Sequence, residues 1–529
     1  MIEAASFSPG VYIWRDAFLL GYWHIYIAAA PGVKGPIEFT LRSNETIREF
    51  TGVDGNEVLR DDSLQGREDA FARFRIASTG LPRHIKFRTG FIGADLRITH
   101  RRQLPFFLGS TLKQVDDATI SLRMPDPHAM SWINVLHDPH PELFLARGGN
   151  RGRLKPPFPA KRNRFFMGTG KSDKPFQLAK KAMVPLDYGR GRSVSWVDIN
   201  ADGMNELYLG NKMSSNALLH LNQRDGRYED LASKFGLALY CGDAFTWMDL
   251  NNDGFDDLVF STCYGSFAVA LNQPGKSFSI LNAEDFGIQL AGITRQDTLF
   301  ESTTVNTFDF DSDGDLDLLV GGLGEHHALK VFRNDAGEFS DVSDALGLEN
   351  IASERTIATD LNADGYMDLL TGGKQGISIL LNNRGAAFYR ADFSLLGEPT
   401  LPPGKVTAMA AADFNSDGVT DIIVGIKGHW WILLNRTRPT GTGRLVRMQR
   451  DDGFEPVGSV VRAHFSNGRV IAQRYGSAEM NGLSQFVSAM IFHAGHGEEI
   501  DYFSVRSPGS DRWQKVAATD PRITPPTPP

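Results

Sequence analysis

An all-β chain assembled from repeated units is predicted by three observations. A nine-residue acidic motif recurs five times, apolar runs of strand length flank every copy, and a short run ending in asparagine follows each one. The first positions of the motif lie 51, 60, 51 and 53 residues apart. Strand hairpins at that period are the mark of a β-propeller, in which each four-stranded blade buries its faces against its neighbours.

The copies are Asp198-Ile-Asn200-Ala-Asp202-Gly203-Met204-Asn-Glu206, Asp249-Leu-Asn251-Asn-Asp253-Gly254-Phe255-Asp-Asp257 and Asp309-Phe-Asp311-Ser-Asp313-Gly314-Asp315-Leu-Asp317. Asp360-Leu-Asn362-Ala-Asp364-Gly365-Tyr366-Met-Asp368 and Asp413-Phe-Asn415-Ser-Asp417-Gly418-Val419-Thr-Asp421 complete the set. Each is entered from a run such as SVSWV and left by one such as ELYLG or DLVFS. The asparagine runs are LLHLN222, AVALN272, KVFRN334, SILLN382 and WILLN435. A decayed sixth copy runs from Asn134 through Asp138 to Glu142, with Leu136 and Pro139 where a ligand and the glycine should stand. It reads as structural and metal-free. Six copies and one unrecognised blade would make seven blades; six is the other reading.

Side-chain oxygens at positions 1, 3, 5 and 9 surround one point if the backbone turns sharply at position 6, where glycine permits positive φ. Hard oxygen donors, three or four of them carboxylates, suit Ca2+, and the residues at position 7 (Met204, Phe255, Asp315, Tyr366 and Val419) can each add a backbone carbonyl. Histidine and cysteine are absent from these positions, which argues against zinc. An EF-hand begins with the same spacing, but its last acid comes at position 12 and its flanks are helices. Five structural Ca2+ sites are the expectation. Five Asp/Asn/Gly turns in register without a metal would leave acidic clusters repelling themselves.

The chain has 529 residues, 41% of them hydrophobic and 22% charged, which is enough to bury a large core and excludes wholesale disorder. Two cysteines, Cys241 and Cys263, allow one bridge at most; they flank the second loop and read equally as a disulfide or as two buried thiols. The net charge of −8 lacks the basic excess of a nucleic-acid binder. Sixteen of the 63 acidic side chains stand at loop ligand positions, so five bound Ca2+ leave the chain close to neutral and its remaining surface mildly basic. Acidic glycans and acidic proteins therefore stay open as partners. The apolar stretch Ala17–Ala30 is too short to span a bilayer, and Glu3 and Asp16 spoil it as a signal peptide; YWHIYI reads as a buried strand. Alternation in FARFRI (71–76), HIKFRT (84–89) and DLRIT (95–99) makes the first 125 residues β-rich and sandwich-like.

On the five loops the sequence resembles the FG-GAP/VCBS repeat proteins, whose calcium-loop propellers include the head of integrin α chains. Val457-Gly458, Gly482-Leu-Ser484-Gln485, His493-Ala-Gly495-His-Gly497 through Asp501, and Val505 to Pro508 resemble the ASPIC/UnbV module that follows such repeats in the cartilage acidic protein family. The expected organisation is an N-terminal β domain (1–125), the propeller (126–440), an ASPIC/UnbV-like β module (441–515) and an extended or disordered proline-rich tail (516–529).

The expected function is binding, adhesion or assembly without catalysis, outside the cytoplasm, where millimolar calcium fills modest-affinity sites. No G-x-S-x-G, H-E-x-x-H or P-loop is present. A protein or glycan ligand would meet the Gly-rich turns opposite the loops, which carry Tyr264, His326, His327, Gln375, His429 and Trp430. The bland reading is that these glycines serve tight turns and that the tryptophans and histidines merely pack. The rival class is a polysaccharide lyase or hydrolase at the propeller mouth, with His326, His327 and His429 as acid–base groups and Tyr264 or Glu325 assisting.

Overall fold

The structure, a computed structural model, describes the strand backbones within residues 10–127. From 128 to 523 it describes all but 134–141, 148–162, 170–175, 180–190, 212–214, 223–226, 241–243, 263–266, 290–303, 322–327, 392–400, 427–428, 440, 449, 451–454, 479–484, 488–489 and 521. Two compact units result: residues 1–127 with 169–175 and 425–431, and the remainder. The chain is all-β in both.

In the first unit two five-stranded sheets form. One runs in the order Arg48–Gly52, Arg83–Arg88, Tyr22–Ala28, Gly10–Arg15 and Phe106–Leu108. The YWHIYI segment is thus an interior strand, paired on both sides. The other sheet runs Ile120–Leu122, Leu96–His100, Ile37–Ser43, Ala70–Ile76 and Leu59–Asp61. The alternating segments of the sequence supply strands to both.

The second unit is built of repeat sheets, each an antiparallel meander of consecutive strands. Blade 1 is Pro127–Ile133, Glu142–Arg147, Arg164–Gly168 and Phe176–Leu178, and its first two strands carry the decayed motif. Blade 2 is Gly191–Val197, Glu206–Asn211, Ala217–Asn222 and Arg227–Asp230. Blade 3 comprises Phe245–Met248, Asp257–Ser261, Phe267–Gln273 and Ser277–Asn282; blade 4 comprises Thr304–Phe308, Asp317–Gly321, Lys330–Asp335 and Glu338–Asp341. Blade 5 is Arg355–Thr359, Asp368–Gly373, Gly376–Asn382 and Phe388–Ala391, and blade 6 has three strands, Val406–Ala412, Asp421–Ile426 and His429–Leu433, of which residues 425–431 group with the first unit. Six such sheets lie among the described residues, the smaller of the two numbers that the repeats allow.

Apolar clusters lie between neighbouring blades, as propeller-like stacking requires. Trp196, Leu209 and Phe165 join blades 1 and 2, while Tyr208, Trp247, Phe245 and Phe278 join blades 2 and 3. Trp247 meets three of these rings edge-on and donates its Nε1–H to Ser195 Oγ of the preceding blade at 2.8 Å. Further clusters join blades 3 and 4 and blades 4 and 5.

The recurrent asparagine is a stitch between blades. Its side-chain amide donates to the position-2 carbonyl of the preceding blade's loop: Asn272 to Ile199, Asn382 to Phe310 and Asn435 to Leu361, at 2.7–3.0 Å. The same amide bonds a carbonyl of its own loop, at Asp256, Met367 and Thr420. Its Oδ1 accepts a turn N–H from Gly275, Gly385 or Thr437. All three asparagines are buried.

The C-terminal residues form further sheets. One is Val470–Arg474, Val460–Phe465, Ile500–Arg506 and Gln514–Ala517; another is Met490–His493, Gly443–Met448 and Arg522–Ile523. Within the proline-rich tail a short strand, Arg522–Ile523, is described; residues 524–529 lie outside the described residues. Arg522 and Ile523 pair in parallel with Arg447 and Met448, and Ile523 is completely buried in the apolar cluster of Val446, Phe492 and Phe503. One isoleucine among the prolines suffices, because it brings an apolar side chain to an open strand edge.

The stitch carries a prediction. Asn382→Ala strands two buried carbonyls and a turn N–H, and should cost about 3 kcal/mol in urea unfolding; Asn350→Ala, on the exposed surface, should cost under about 0.5.

Candidate metal centres

Each acidic loop joins the first two strands of its blade and has the same backbone. Position 4 is left-handed, with φ between 56° and 62° at Ala201, Asn252, Ser312, Ala363 and Ser416. The glycine at position 6 is left-handed as well, from 84° at Gly203 to 93° at Gly314. Non-glycine residues seldom adopt such angles. The second was legible from the glycine; the first was not, because alanine, serine and asparagine leave no common signature.

Hydrogen bonds then aim the side chains. In all five loops the position-1 carboxylate accepts, on Oδ2, the N–H of the position-6 glycine at 2.8–3.1 Å. The position-5 carboxylate accepts the position-7 N–H on Oδ1 at 2.8–3.1 Å.

Position 9 has a duty that the ligand reading alone did not foresee. It takes the position-2 N–H on one oxygen and, on the other, the backbone N–H of the stitching asparagine. Asp257 is so held by Leu250 and Asn272, Asp317 by Phe310 and Asn334, Asp368 by Leu361 and Asn382, and Asp421 by Phe414 and Asn435. Glu206 differs: Ile199 binds one oxygen, but the other meets His220 Nδ1 at 2.8 Å. Each oxygen keeps a second lone pair for a cation.

The loops divide at position 3. Asn200, Asn251, Asn362 and Asn415 each donate an amide to the neighbouring position-5 carboxylate at 2.8–3.0 Å. Asp311 has no proton to give. Its Oδ1 is buried with no hydrogen-bond partner, and ligand oxygens of Asp309, Asp311 and Asp317 lie within 4.8 Å of one another. The third loop is therefore the acidic cluster proper, with an oxygen aimed into a space that only a cation or a proton donor satisfies.

Electrostatics agree. Burial pushes the Asp257 carboxyl up to about 8, Asp317 to about 9 and Asp311 to about 6, with neighbouring carboxylates adding to each. Burial also raises Asp198, Asp309 and Asp368 well above the carboxylate range. These groups resist ionisation until a positive charge joins them.

The C-terminal sheets lie directly on the loops. Arg506 Nη1 meets Asp249 Oδ2 at 2.9 Å, and Arg474 forms a buried pair with Asp256 at 2.6 Å. In loop 3 the N–H of Ala472 reaches Asp309 Oδ2 at 2.8 Å, and Arg462 pairs with Asp315. Arg462 and Arg506 both stack over Trp513. His493 lies between two acceptors, Asp360 Oδ2 at 2.8 Å and Gly418 O at 3.0 Å, an arrangement that favours the charged, doubly protonated ring. Burial opposes that charge, but Asp360 outweighs it and raises the imidazole pKa.

Of the expected ligand-face residues, Gln375 is exposed in the turn between Asp368–Gly373 and Gly376–Asn382, and His429 and Trp430 are half-buried on a blade 6 strand. Tyr264, Glu325, His326 and His327 lie outside the described residues, as do Cys241 and Cys263. Of the rival acid–base set, His429 alone is among the described residues. Among the described residues no helix is long and apolar enough to cross a membrane.

Two outcomes are expected of the cation-free protein. Its folded loops hold protons that the unfolded chain releases, so stability falls as pH rises from about 4 to about 9, most steeply below about 6, where all three carboxyls differ from their unfolded state. Urea midpoints measured in chelator across that range check this. Asp311→Asn supplies the amide of the other four loops and should stabilise the chelated protein by about 1–2 kcal/mol in the same assay.

Comparison with known proteins bears on the same loops. The family described as FG-GAP-like repeat matches residues 198–260, 309–371 and 360–424, which contain all five. Cartilage acidic protein 1 of Xenopus tropicalis is 22% identical over 371 residues, 64% of this chain and 56% of that protein. The match therefore spans little more than half the relative's length. Among solved structures, an Agrocybe aegerita lectin that recognises non-reducing terminal N-acetylglucosamine gives a TM-score of 0.39 at 14% identity, covering 65% of this chain and 88% of the lectin. Sqt1 of Saccharomyces cerevisiae gives 0.37 at 7% identity, covering 82% of this chain and 97% of its own. Residues 198–260 and 309–424 are FG-GAP-like repeats, and the chain is an all-β protein that carries them.

Proposed function

We propose that the protein is a calcium-stabilised, non-enzymatic binding or assembly protein that works outside the cytoplasm. The observation that supports this most is the third loop, where Asp311 presents a buried, unpartnered oxygen beside the carboxylates of Asp309 and Asp317. Oxygen-only donors at positions 1, 3, 5 and 9 and carboxyls that resist ionisation fit a hard divalent cation of calcium's size in all five loops. The residues that would hold it are the position-1, -3, -5 and -9 side chains already described, with the position-7 carbonyls. A bound ion supplies the positive charge that the buried carboxylates lack.

Four of the five loop faces are covered by the C-terminal residues and the fifth is met by His493, which supports a ligand role for the opposite ends of the blades. There the Gly-rich turns carry Gln375, and a protein or glycan is the ligand class proposed. Millimolar calcium, found outside cells, fills such sites even at modest affinity. Acyl-transfer, zinc-protease and P-loop motifs are absent from the sequence, which favours binding over catalysis.

Metal analysis of the calcium-equilibrated chain should find about five ions. Calcium should raise the thermal midpoint, each site held 100-fold above its Kd adding about 2.7 kcal/mol. A melt identical in calcium and in chelator would overturn the reading.

A further inference from the structure

The position-6 glycine carbonyl of every loop accepts a hydrogen bond from the C-terminal residues, each time from a different donor. Arg450 Nη1 reaches Gly203 O at 3.2 Å, the N–H of Gly509 reaches Gly254 O at 2.7 Å, and Arg462 Nε reaches Gly314 O at 2.6 Å. Arg469 Nη1 reaches Gly365 O at 2.6 Å, and His493 Nε2 reaches Gly418 O at 3.0 Å. Fit is close as well as polar. A methyl group on Gly203, Gly254, Gly314 or Gly365 would overlap Arg450, Ser510, Val470 or His493 respectively.

Loop 5 stands apart. Its glycine faces open space, and Asn415, Ser416 and Asp417 are exposed. Among the described residues, the bond from His493 is the one hydrogen bond that the C-terminal sheets make with it. The other four loops receive more. Loop 1 adds Asn205 to Glu455 O, loop 2 adds Arg474 and Arg506, loop 3 adds Ala472 and Val470, and loop 4 adds His493 on Asp360 and Arg469 stacked over Tyr366.

We propose that the C-terminal sheets are a cap that governs metal exchange: ions in loops 1 to 4 are locked beneath it, and the ion in loop 5 exchanges freely. This rests on the calcium reading above. An ion leaves when the position-1, -3 and -5 side chains swing away and the turn at positions 6 and 7 opens. In four loops that opening breaks contacts to the cap, so release waits for the cap to lift. In loop 5 it breaks a single hydrogen bond at an exposed turn, which is a local fluctuation.

The test mixes the calcium-loaded full-length chain with excess fluorescent chelator in a stopped-flow instrument. Two phases are expected, one ion leaving fast and four leaving slowly, at rates at least tenfold apart. Asp417→Ala should delete the fast phase and leave the slow one unchanged. Arg474→Ala and, independently, Arg462→Ala should speed the slow phase while the fast phase holds. Neither arginine occupies a ligand position. Release of all ions in one phase, a fast phase that survives Asp417→Ala, or slow rates unmoved in both arginine variants would each overturn the proposal. Should the arginine variants not fold, the wild type and Asp417→Ala decide alone. Metal analysis of the same stock separates the two readings: no bound calcium removes the calcium assignment itself, whereas five ions leaving together removes only the cap's control.

Discussion

The ninth-position carboxylate is the constraint on which the repeat unit depends. One of its oxygens holds the start of the loop, the other holds the end of the third strand, and in three blades the buried asparagine ending that strand reaches back to the previous blade. Acidic residue, loop and strand are thus a single hydrogen-bonded assembly. Burying a carboxylate this way is unfavourable unless every lone pair is used, and backbone N–H groups use two of them. The remaining demand for positive charge is what turns a structural element into a metal centre.

Much of this was legible in the sequence, because carboxylates at a fixed spacing around a glycine admit few explanations. The strand pattern and the repeat period were equally plain. Less visible were the contributions that carry no distinctive residue type. A left-handed position 4 is filled by Ala201, Asn252 or Ser312 without preference. The asparagine ending each third strand was conspicuous by recurrence, but its partner is a backbone carbonyl some 72 to 74 residues earlier, and backbone atoms have no signature. The cap was hidden for a related reason. Arg450, Arg462, Arg469 and His493 belong to different strands and turns, and only folding places each above a different glycine.

The difference between loops follows from one atom. Asparagine at position 3 gives four loops an internal hydrogen bond that partly substitutes for a cation, whereas Asp311 turns its loop into a site strained by its own charge. Local stability and metal demand are therefore inversely set along the chain. Arginine ion pairs from the cap fall where the acids are densest, two at loop 2 and one at loop 3.

The stitch also has a direction. The position-2 carbonyls of loops 1, 3 and 4 accept from asparagines that belong to the next blade: Ile199 waits for Asn272, Phe310 for Asn382 and Leu361 for Asn435. For these three loops the partner of the position-2 carbonyl is supplied only by the following 70-odd residues of the chain. The cap, encoded last, meets every loop after its blade exists. A chain ending between two such blades would leave the earlier loop's position-2 carbonyl without its asparagine donor.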